Sequence, residues 1–122
     1  MGLAFKGNTD DIRESAAIEI INKLTKKGAK IQTYDPEAIE RAKLELDHQV
    51  RFFRNAYSAA RNADLLIIAT EWQEFTKLNW KKIKGLLKTA TIFDGKNILD
   101  GIKMTQLGFD YEGIGTNNYK FN

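Results

Sequence analysis

The chain has 122 residues, of which 43% are apolar and 29% are charged, and this balance is typical of one globular domain with a single core. Its formal net charge is +3, a basic excess that suits an anionic ligand such as a nucleotide. The lysines and arginines are scattered among nearly as many acids, which is more typical of solvated helix faces than of a nucleic-acid interface. There is no cysteine, so disulfides, thiolate metal sites and a cysteine nucleophile are excluded within this sequence.

The first half of the chain alternates between predicted strand and predicted helix. A short apolar strand over Leu3–Lys6 precedes a segment whose apolar residues recur at helical spacing, and Gly28 ends that helix. A second strand over Lys30–Tyr34 leads to Asp35-Pro36. This pair is typical of a helix start, because aspartate caps free N–H groups and proline suits the first turn.

The second half continues the alternation. A third strand is predicted over Val50–Phe53, followed by a helix with a face of alanines. The fourth strand, over Leu65–Ala69, is apolar without alternation, which predicts a central strand covered on both faces. Further strands over Thr91–Asp94 and Phe109–Ile114 are separated by helices.

This alternation predicts an α/β fold, namely a Rossmann-like three-layer sandwich. We expect a mostly parallel sheet of five to six strands with helices on both faces. One domain is expected over residues 1–115, followed by a polar tail over residues 116–122. Because only Met1 precedes Gly2, the first strand is expected to be shortened. No apolar leader or long apolar run is present, so we expect a cytoplasmic protein without membrane contact.

The turns that leave the carboxyl ends of the strands form the functional edge of such a sheet. Lys6 and Lys96 both emerge at this edge and could converge on a phosphate, although lysines at strand ends also commonly face water. Trp72 and Phe75 could stack on a base, but a role in the core is more common for such residues. His48, the one histidine, is interpreted as a surface residue.

Acidic residues near the start of the chain are more simply interpreted as structural than as catalytic or metal-binding. Asp10 and Asp11 are more often helix caps than metal ligands, and Asp11 with Glu14 three residues later matches a capping pattern. Neither a G-x-G-x-x-G fingerprint nor a serine, cysteine or histidine arrangement for nucleophilic catalysis is present. No catalytic residue is therefore assigned in this chain.

Four segments together carry a resemblance to a known family. They are GLAFKGNTDDIRES from Gly2, YDP at 34–36, TEWQEF at 70–75 and FDGKNILD at 93–100. In this order and spacing they resemble the C-terminal domain of the UDP-glucose/GDP-mannose dehydrogenase family, as far as about Gly115. Among its members, the bacterial or archaeal UDP-glucose 6-dehydrogenases are the most similar.

The resemblance implies specific roles. Complete enzymes of this family oxidise a sugar alcohol to a carboxylate with NAD, through a cysteine-linked intermediate in parts that precede this domain. Phe5 and Lys6 match a Phe-Lys pair that contacts the nucleotide sugar, and Arg13 matches an arginine that reaches the NAD. Lys96 matches a position that meets the UDP-sugar of a neighbouring subunit. The implied partners are a UDP-sugar, an N-terminal dehydrogenase domain and a homo-oligomer, with no nucleic acid and no membrane.

At two positions this sequence departs from the family pattern, and these departures weaken the roles that the resemblance implies. Gly7 stands where many members have proline, and glycine costs more to order. Lys96 replaces the usual arginine, which keeps the charge but loses the planar fork that binds oxygens in pairs.

The sequence is also compatible with two alternative interpretations. One is a freestanding nucleotide-binding or structural module. The other is a receiver-like signalling domain, which is disfavoured because the third predicted strand ends in Phe53-Arg54-Asn55 where a receiver needs an aspartate.

Overall fold

The computed structural model describes residues 1–2, 15–46 and 49–114. In these ranges the strands are β1 (Gln32–Thr33), β2 (Arg51–Phe52), β3 (Leu66–Ile68), β4 (Thr91–Asp94) and β5 (Asp110–Gly113). The helices are α1 (Ala16–Lys26), α2 (Ile39–Ala42), α3 (Ala56–Ala60), α4 (Gln73–Thr76), α5 (Trp80–Leu86) and α6 (Gly101–Gln106). The strand predicted over Leu3–Lys6 lies outside the described residues, as do Asp10, Asp11, Glu14 and His48.

The strands form two parallel ladders that Met1 and Gly2 connect. One ladder pairs β1 with β2, and the other has the order β3-β4-β5. The Met1 amine donates to the Ile67 carbonyl, and the Ala69 N–H donates to the Met1 carbonyl over 2.8 Å, which is the pattern of a parallel pair. On the other side, the Gly2 N–H donates to the Tyr34 carbonyl over 2.8 Å.

The spatial order is therefore β2-β1, then Met1–Gly2, then β3-β4-β5. The chain begins in the middle of this order, adds strands on one side and then adds strands on the other, as in a doubly wound sheet. The predicted parallel α/β fold is confirmed, and β3 is central because Met1 flanks it on one side and β4 on the other. The described strands number five and are shorter than most of the predicted ones, apart from β4, whose predicted bounds match.

Right-handed crossovers place α1 and α2 on one face of this sheet and α3, α5 and α6 on the other. Contacts between α3 and α5, and between α3 and β1, agree with that placement. The alanine face predicted for the third helix is buried there, since Ala56, Ala59 and Ala60 are each at most 5% exposed. Small side chains on this face let the helix approach the strands closely.

Side-chain caps determine where several helices begin. Asn55 accepts a hydrogen bond from the Ser58 N–H over 2.8 Å at the start of α3, and Asp100 accepts two at the start of α6. Helix α1 begins after Ser15, whose hydroxyl accepts from the Ile18 N–H. Ser15 therefore caps the described α1.

Candidate functional site

The carboxyl ends of the central strands meet at one edge of the sheet. Ile68 at the end of β3 is in register with Asp94 at the end of β4, and Met1 lies beside Ile68 through its hydrogen bonds to Ile67 and Ala69. The segments that follow Ala69 and Asp94 consequently leave the sheet side by side, next to Met1 and Gly2. This is the edge at which open α/β sheets bind ligands, and the place predicted for the candidate site.

Asp94 organises the turn that carries Lys96. Its side chain is fully buried and accepts hydrogen bonds from the Lys96 N–H (3.1 Å), the Leu99 N–H (2.8 Å) and the Tyr111 hydroxyl (2.8 Å). Three donors on one carboxylate satisfy the group in an environment where an unpaired charge would be costly. Asp94 is thus a structural residue, and it fixes the backbone from which Lys96 projects.

The same turn has a compact shape that depends on Gly95 and Asn97. The Gly95 N–H donates to the Ile68 carbonyl over 2.9 Å, and a Cβ at this position would lie 2.9 Å from that same oxygen. Asn97 adopts a left-handed conformation with φ of 55°, and its side-chain amide donates to the Ile114 carbonyl over 2.7 Å. Lys96 is half-buried between these two residues, at the candidate ligand edge.

The segments YDP and TEWQEF are joined to each other by two side-chain hydrogen bonds. The Tyr34 hydroxyl donates to Glu74 Oε2 over 2.6 Å, and the Trp72 indole N–H donates to Asp35 Oδ2 over 3.1 Å. Trp72 and Phe75 are 8% and 0% exposed, so the core role expected for them is confirmed. These aromatic residues complete the core at the ligand edge instead of presenting a stacking surface.

Asp35 also binds backbone N–H groups of the residues that follow it. Its Oδ1 accepts from the N–H groups of Glu37 and Ala38, each over 2.8 Å, while Oδ2 receives the Trp72 indole. The predicted helix start at Asp35-Pro36 is wrong, because α2 begins at Ile39 with Ala38 at its N-cap; Asp35 instead holds the turn that precedes the helix. One buried carboxylate therefore links the start of the α2 segment to the segment that leaves β3.

Tyr34 gives a testable consequence of this packing. Burial, together with the hydrogen bond to the Glu74 carboxylate, raises the pKa of Tyr34 well above its usual range. The folded state keeps the phenol protonated, whereas the unfolded chain loses the proton near pH 10, so this contribution to stability is present below about pH 10 and is lost as the pH rises further.

We expect the difference in unfolding free energy between wild type and Tyr34→Phe to shrink by up to about 1.4 kcal/mol per pH unit above pH 10. Urea unfolding between pH 9 and pH 11, read by circular dichroism, measures this difference. Glu74→Gln is the companion variant and should weaken the dependence, because the carboxylate that holds the proton is removed. A difference that stays constant with pH would contradict the assigned cause.

Lys96 is the one predicted site residue that the described part of the chain contains. Phe5, Lys6 and Arg13 lie outside the described residues. Sequence reasoning did not identify the buried carboxylates of Asp35 and Asp94 as the groups that shape the edge. An aspartate directly after an apolar strand and before glycine was the available signal for Asp94, since such a position favours a buried turn.

Comparison with known proteins shows the family to which this chain belongs. Residues 1–101 match the UDP-glucose/GDP-mannose dehydrogenase family, UDP binding domain. This match spans most of the chain, including the edge formed by Gly2, Thr70 and Lys96. The chain belongs to the UDP-glucose/GDP-mannose dehydrogenase family.

Individual members of the family agree with this assignment. UDP-glucose 6-dehydrogenase of Rickettsia prowazekii is 43% identical over 117 residues, which cover 95% of this chain and 27% of that protein. The Bacillus subtilis UDP-glucose 6-dehydrogenase TuaD is 39% identical over 115 residues, which cover 94% of this chain and 25% of that protein. The chain thus spans about a quarter of the length of these curated relatives.

Solved structures support the same fold. A UDP-glucose dehydrogenase from Pyrobaculum islandicum superposes with a TM-score of 0.77 at 30% identity, covering 95% of this chain and 24% of that one. A UDP-D-ManNAc dehydrogenase from Pyrococcus horikoshii gives a TM-score of 0.73 at 33% identity, covering 93% and 24%. Within the described residues of this family member, no helix is both long enough and apolar enough to cross a membrane.

Proposed function

We propose that this chain supplies the nucleotide-sugar-binding part of an NAD-dependent UDP-glucose 6-dehydrogenase, which converts UDP-glucose to UDP-glucuronate in the complete enzyme. The observation that carries the proposal is the match of residues 1–101 to the UDP binding domain of the family. The names of the relatives with about 40% identity favour UDP-glucose among the nucleotide sugars. Because the chain belongs to this family, we do not retain the alternative of a receiver-like signalling domain.

Each proposed ligand residue has a physical role. Phe5 offers an apolar face to the nucleotide sugar, and Lys6 offers an ammonium group to its oxygens. Lys96, held by the Asp94 turn, contributes a positive charge that attracts the diphosphate, including that of a ligand in a neighbouring subunit. Arg13 is proposed to reach NAD.

The redox chemistry is assigned to other parts of the enzyme. NAD, when bound, accepts the hydride from the sugar, but this sequence contains neither a dinucleotide fingerprint nor a cysteine for a covalent intermediate. The chain therefore does not fit NAD as its main binding partner, and Arg13 is proposed only as an outlying contact. We accordingly propose an N-terminal dehydrogenase domain as the partner that completes the active site.

Lys6→Ala tests the binding role most simply. A charge-assisted contact to a diphosphate contributes about 1.5–3 kcal/mol, so we expect UDP to bind at least tenfold more weakly while the melting temperature without ligand stays the same. Isothermal titration calorimetry with UDP measures the change. The matched control is Lys26→Ala, an exposed lysine in the last turn of α1 at the opposite edge, which should bind UDP as the wild type does.

Two outcomes would contradict this assignment. Equal UDP affinity in Lys6→Ala and wild type would remove Lys6 from the binding site. A large loss of melting temperature in Lys6→Ala would instead make it a structural residue.

A further inference from the structure

The lysines of one stretch of the chain lie together on one face of the fold. Residues 75–93 contain five lysines and no acidic residue. The centre of this stretch forms α5, which lies with α3 and α6 on the same face of the sheet, and α6 adds a further exposed lysine. We call this set the lysine face, and its members, all of them exposed, are Lys77, Lys81, Lys82, Lys84, Lys88 and Lys103.

The packing of α5 turns its lysines outward. Trp80, Ile83 and Leu87 recur at helical spacing and are 5%, 0% and 8% exposed, so they fix one side of the helix in the core. The positions between them face away from the core, and three of these positions are lysines. Asn79 caps the helix, since its side chain accepts from the Lys82 N–H over 3.1 Å. The lysine face is therefore built on a fixed backbone.

The charges of the lysine face are not neutralised within the described residues. No ion pair in these ranges involves any of its lysines. Lys82 Nζ lies 4.6 Å from the centroid of the Tyr57 ring, and Lys84 Nζ lies against Gly108, just after α6. Neither contact removes a charge, so the face presents a positive potential that attracts an extended anionic surface.

A groove with apolar lining lies within the lysine face, between the start of α5 and α6. Its volume is about 440 Å³, and Lys81 of α5 and Lys103 of α6 both border it. Its apolar lining residues are Leu78, Trp80, Ile98, Leu99, Met104 and Leu107. Next to Lys103, Ile102 is 54% exposed. The face thus combines positive charge with apolar surface, as do the amphipathic helices that bind at lipid headgroups.

The residue types of this face distinguish between three kinds of anionic partner. Interfaces with nucleic acid and with proteins are commonly rich in arginine and in accessible aromatic rings. No arginine follows Arg61 in the sequence, and Phe75 and Trp80, on either side of Lys77, are buried. An anionic bilayer needs neither feature, because it attracts lysine ammonium groups without fixed geometry and accepts apolar side chains among its headgroups. The composition therefore favours a bilayer.

We propose that the lysine face docks this protein on a bilayer that contains anionic phospholipids. The ammonium groups lie at the headgroup phosphates, and Ile102 enters the boundary between the headgroups and the acyl chains. Docking of this kind takes place at the surface and needs no membrane-spanning helix. It departs from the expectation of no membrane contact, which rested on the lack of an apolar leader and a long apolar run, and it is independent of nucleotide binding.

Co-sedimentation of the full chain with lipid vesicles tests this proposal. We expect the chain to bind vesicles made of equal parts of phosphatidylcholine and phosphatidylglycerol at least about tenfold more tightly than vesicles of phosphatidylcholine alone. Because much of the attraction is between charges, this binding should weaken as sodium chloride is raised from about 0.05 M to about 0.5 M.

Two double variants with the same change in net charge locate the docking surface. Lys81→Gln with Lys82→Gln removes two charges from the lysine face and should weaken binding to the anionic vesicles about tenfold. Lys26→Gln with Lys27→Gln removes two adjacent exposed lysines at the end of α1, on the other face of the sheet, and should bind as wild type does. Circular dichroism confirms that both variants are folded before the titrations are compared.

A second pair of variants tests the apolar part of the surface. Ile102→Ser should weaken binding to the anionic vesicles about threefold, because the side chain that enters the bilayer becomes polar. Leu44→Ser changes a leucine that is 85% exposed and lies outside the lysine face, and it should have no effect. A short DNA duplex at equal phosphate concentration should bind more weakly than the vesicles, and its binding should not respond to Ile102→Ser.

Three results would overturn the proposal. Equal binding to anionic and neutral vesicles would remove the anionic bilayer as the partner. Equal losses in the two double lysine variants would show that net charge, and not the lysine face, determines binding. Tighter binding to the DNA duplex than to the anionic vesicles at the same salt concentration would make the lysine face a nucleic-acid interface.

Discussion

Gly2→Ala should lower the unfolding free energy by on the order of 3 kcal/mol, which corresponds to a fall in melting temperature of roughly 10 °C. Gly2 has a φ of 97°, a conformation that alanine adopts only with strain. A Cβ at this position would also lie 2.5 Å from Thr70 Cβ and 2.7 Å from the Thr70 backbone nitrogen. The residue that connects the two ladders must therefore be glycine.

Gly28→Ala separates the two causes of this effect. Gly28 has a similar φ of 91°, but a Cβ there would meet nothing within 4 Å. Its replacement should cost only the conformational strain, about 1 kcal/mol. Thermal and urea unfolding of both variants measure the difference. Equal losses for Gly2→Ala and Gly28→Ala would contradict the close approach between Gly2 and Thr70.

Asp94→Ala should produce an effect of similar size, a loss of about 3–5 kcal/mol in unfolding free energy. The substitution leaves the N–H groups of Lys96 and Leu99 and the hydroxyl of Tyr111 without their common acceptor. Buried donors without partners cost far more than the net contribution of a hydrogen bond. The turn that carries Lys96 should lose its fixed shape as well, so UDP affinity should fall together with stability.

Asp94→Asn and Tyr111→Phe form the matched series for this prediction. The amide keeps an acceptor oxygen and the size of the side chain, so the loss should be smaller than in Asp94→Ala. Tyr111→Phe removes a single donor and should cost about 1–2 kcal/mol. If Asp94→Ala proves no more destabilising than Tyr111→Phe, the carboxylate does not organise the turn as described.

Much of the fold was predictable from the sequence because the signals are local. The unbroken apolar run of the fourth strand predicted the central β3, and the alternation of elements predicted parallel pairing. The pair Asp35-Pro36 predicted a helix start, but Asp35 closes a turn ahead of α2 because its carboxylate accepts from the N–H groups of Glu37 and Ala38, and the helix begins only at Ile39. Apart from β4, the predicted strands are longer than the observed ones, since apolar residues also occupy positions beyond the ends of the paired segments.

The candidate site was less predictable because its geometry depends on contacts between residues far apart in the sequence. Nothing local indicates that Trp72 donates to Asp35, or that Tyr111 donates to Asp94. Only the position of Lys96 at the carboxyl edge followed directly from the predicted strand order.

We propose that the carboxyl edge of this sheet holds a uridine nucleotide. Heteronuclear NMR titration of the chain with UDP tests it most directly. We expect saturable shifts that cluster at the amide resonances of Thr70, Gly95 and Lys96, with none at Gly28 or Lys88 near the opposite edge. No saturable shift at millimolar UDP, or shifts confined to the opposite edge, would contradict it.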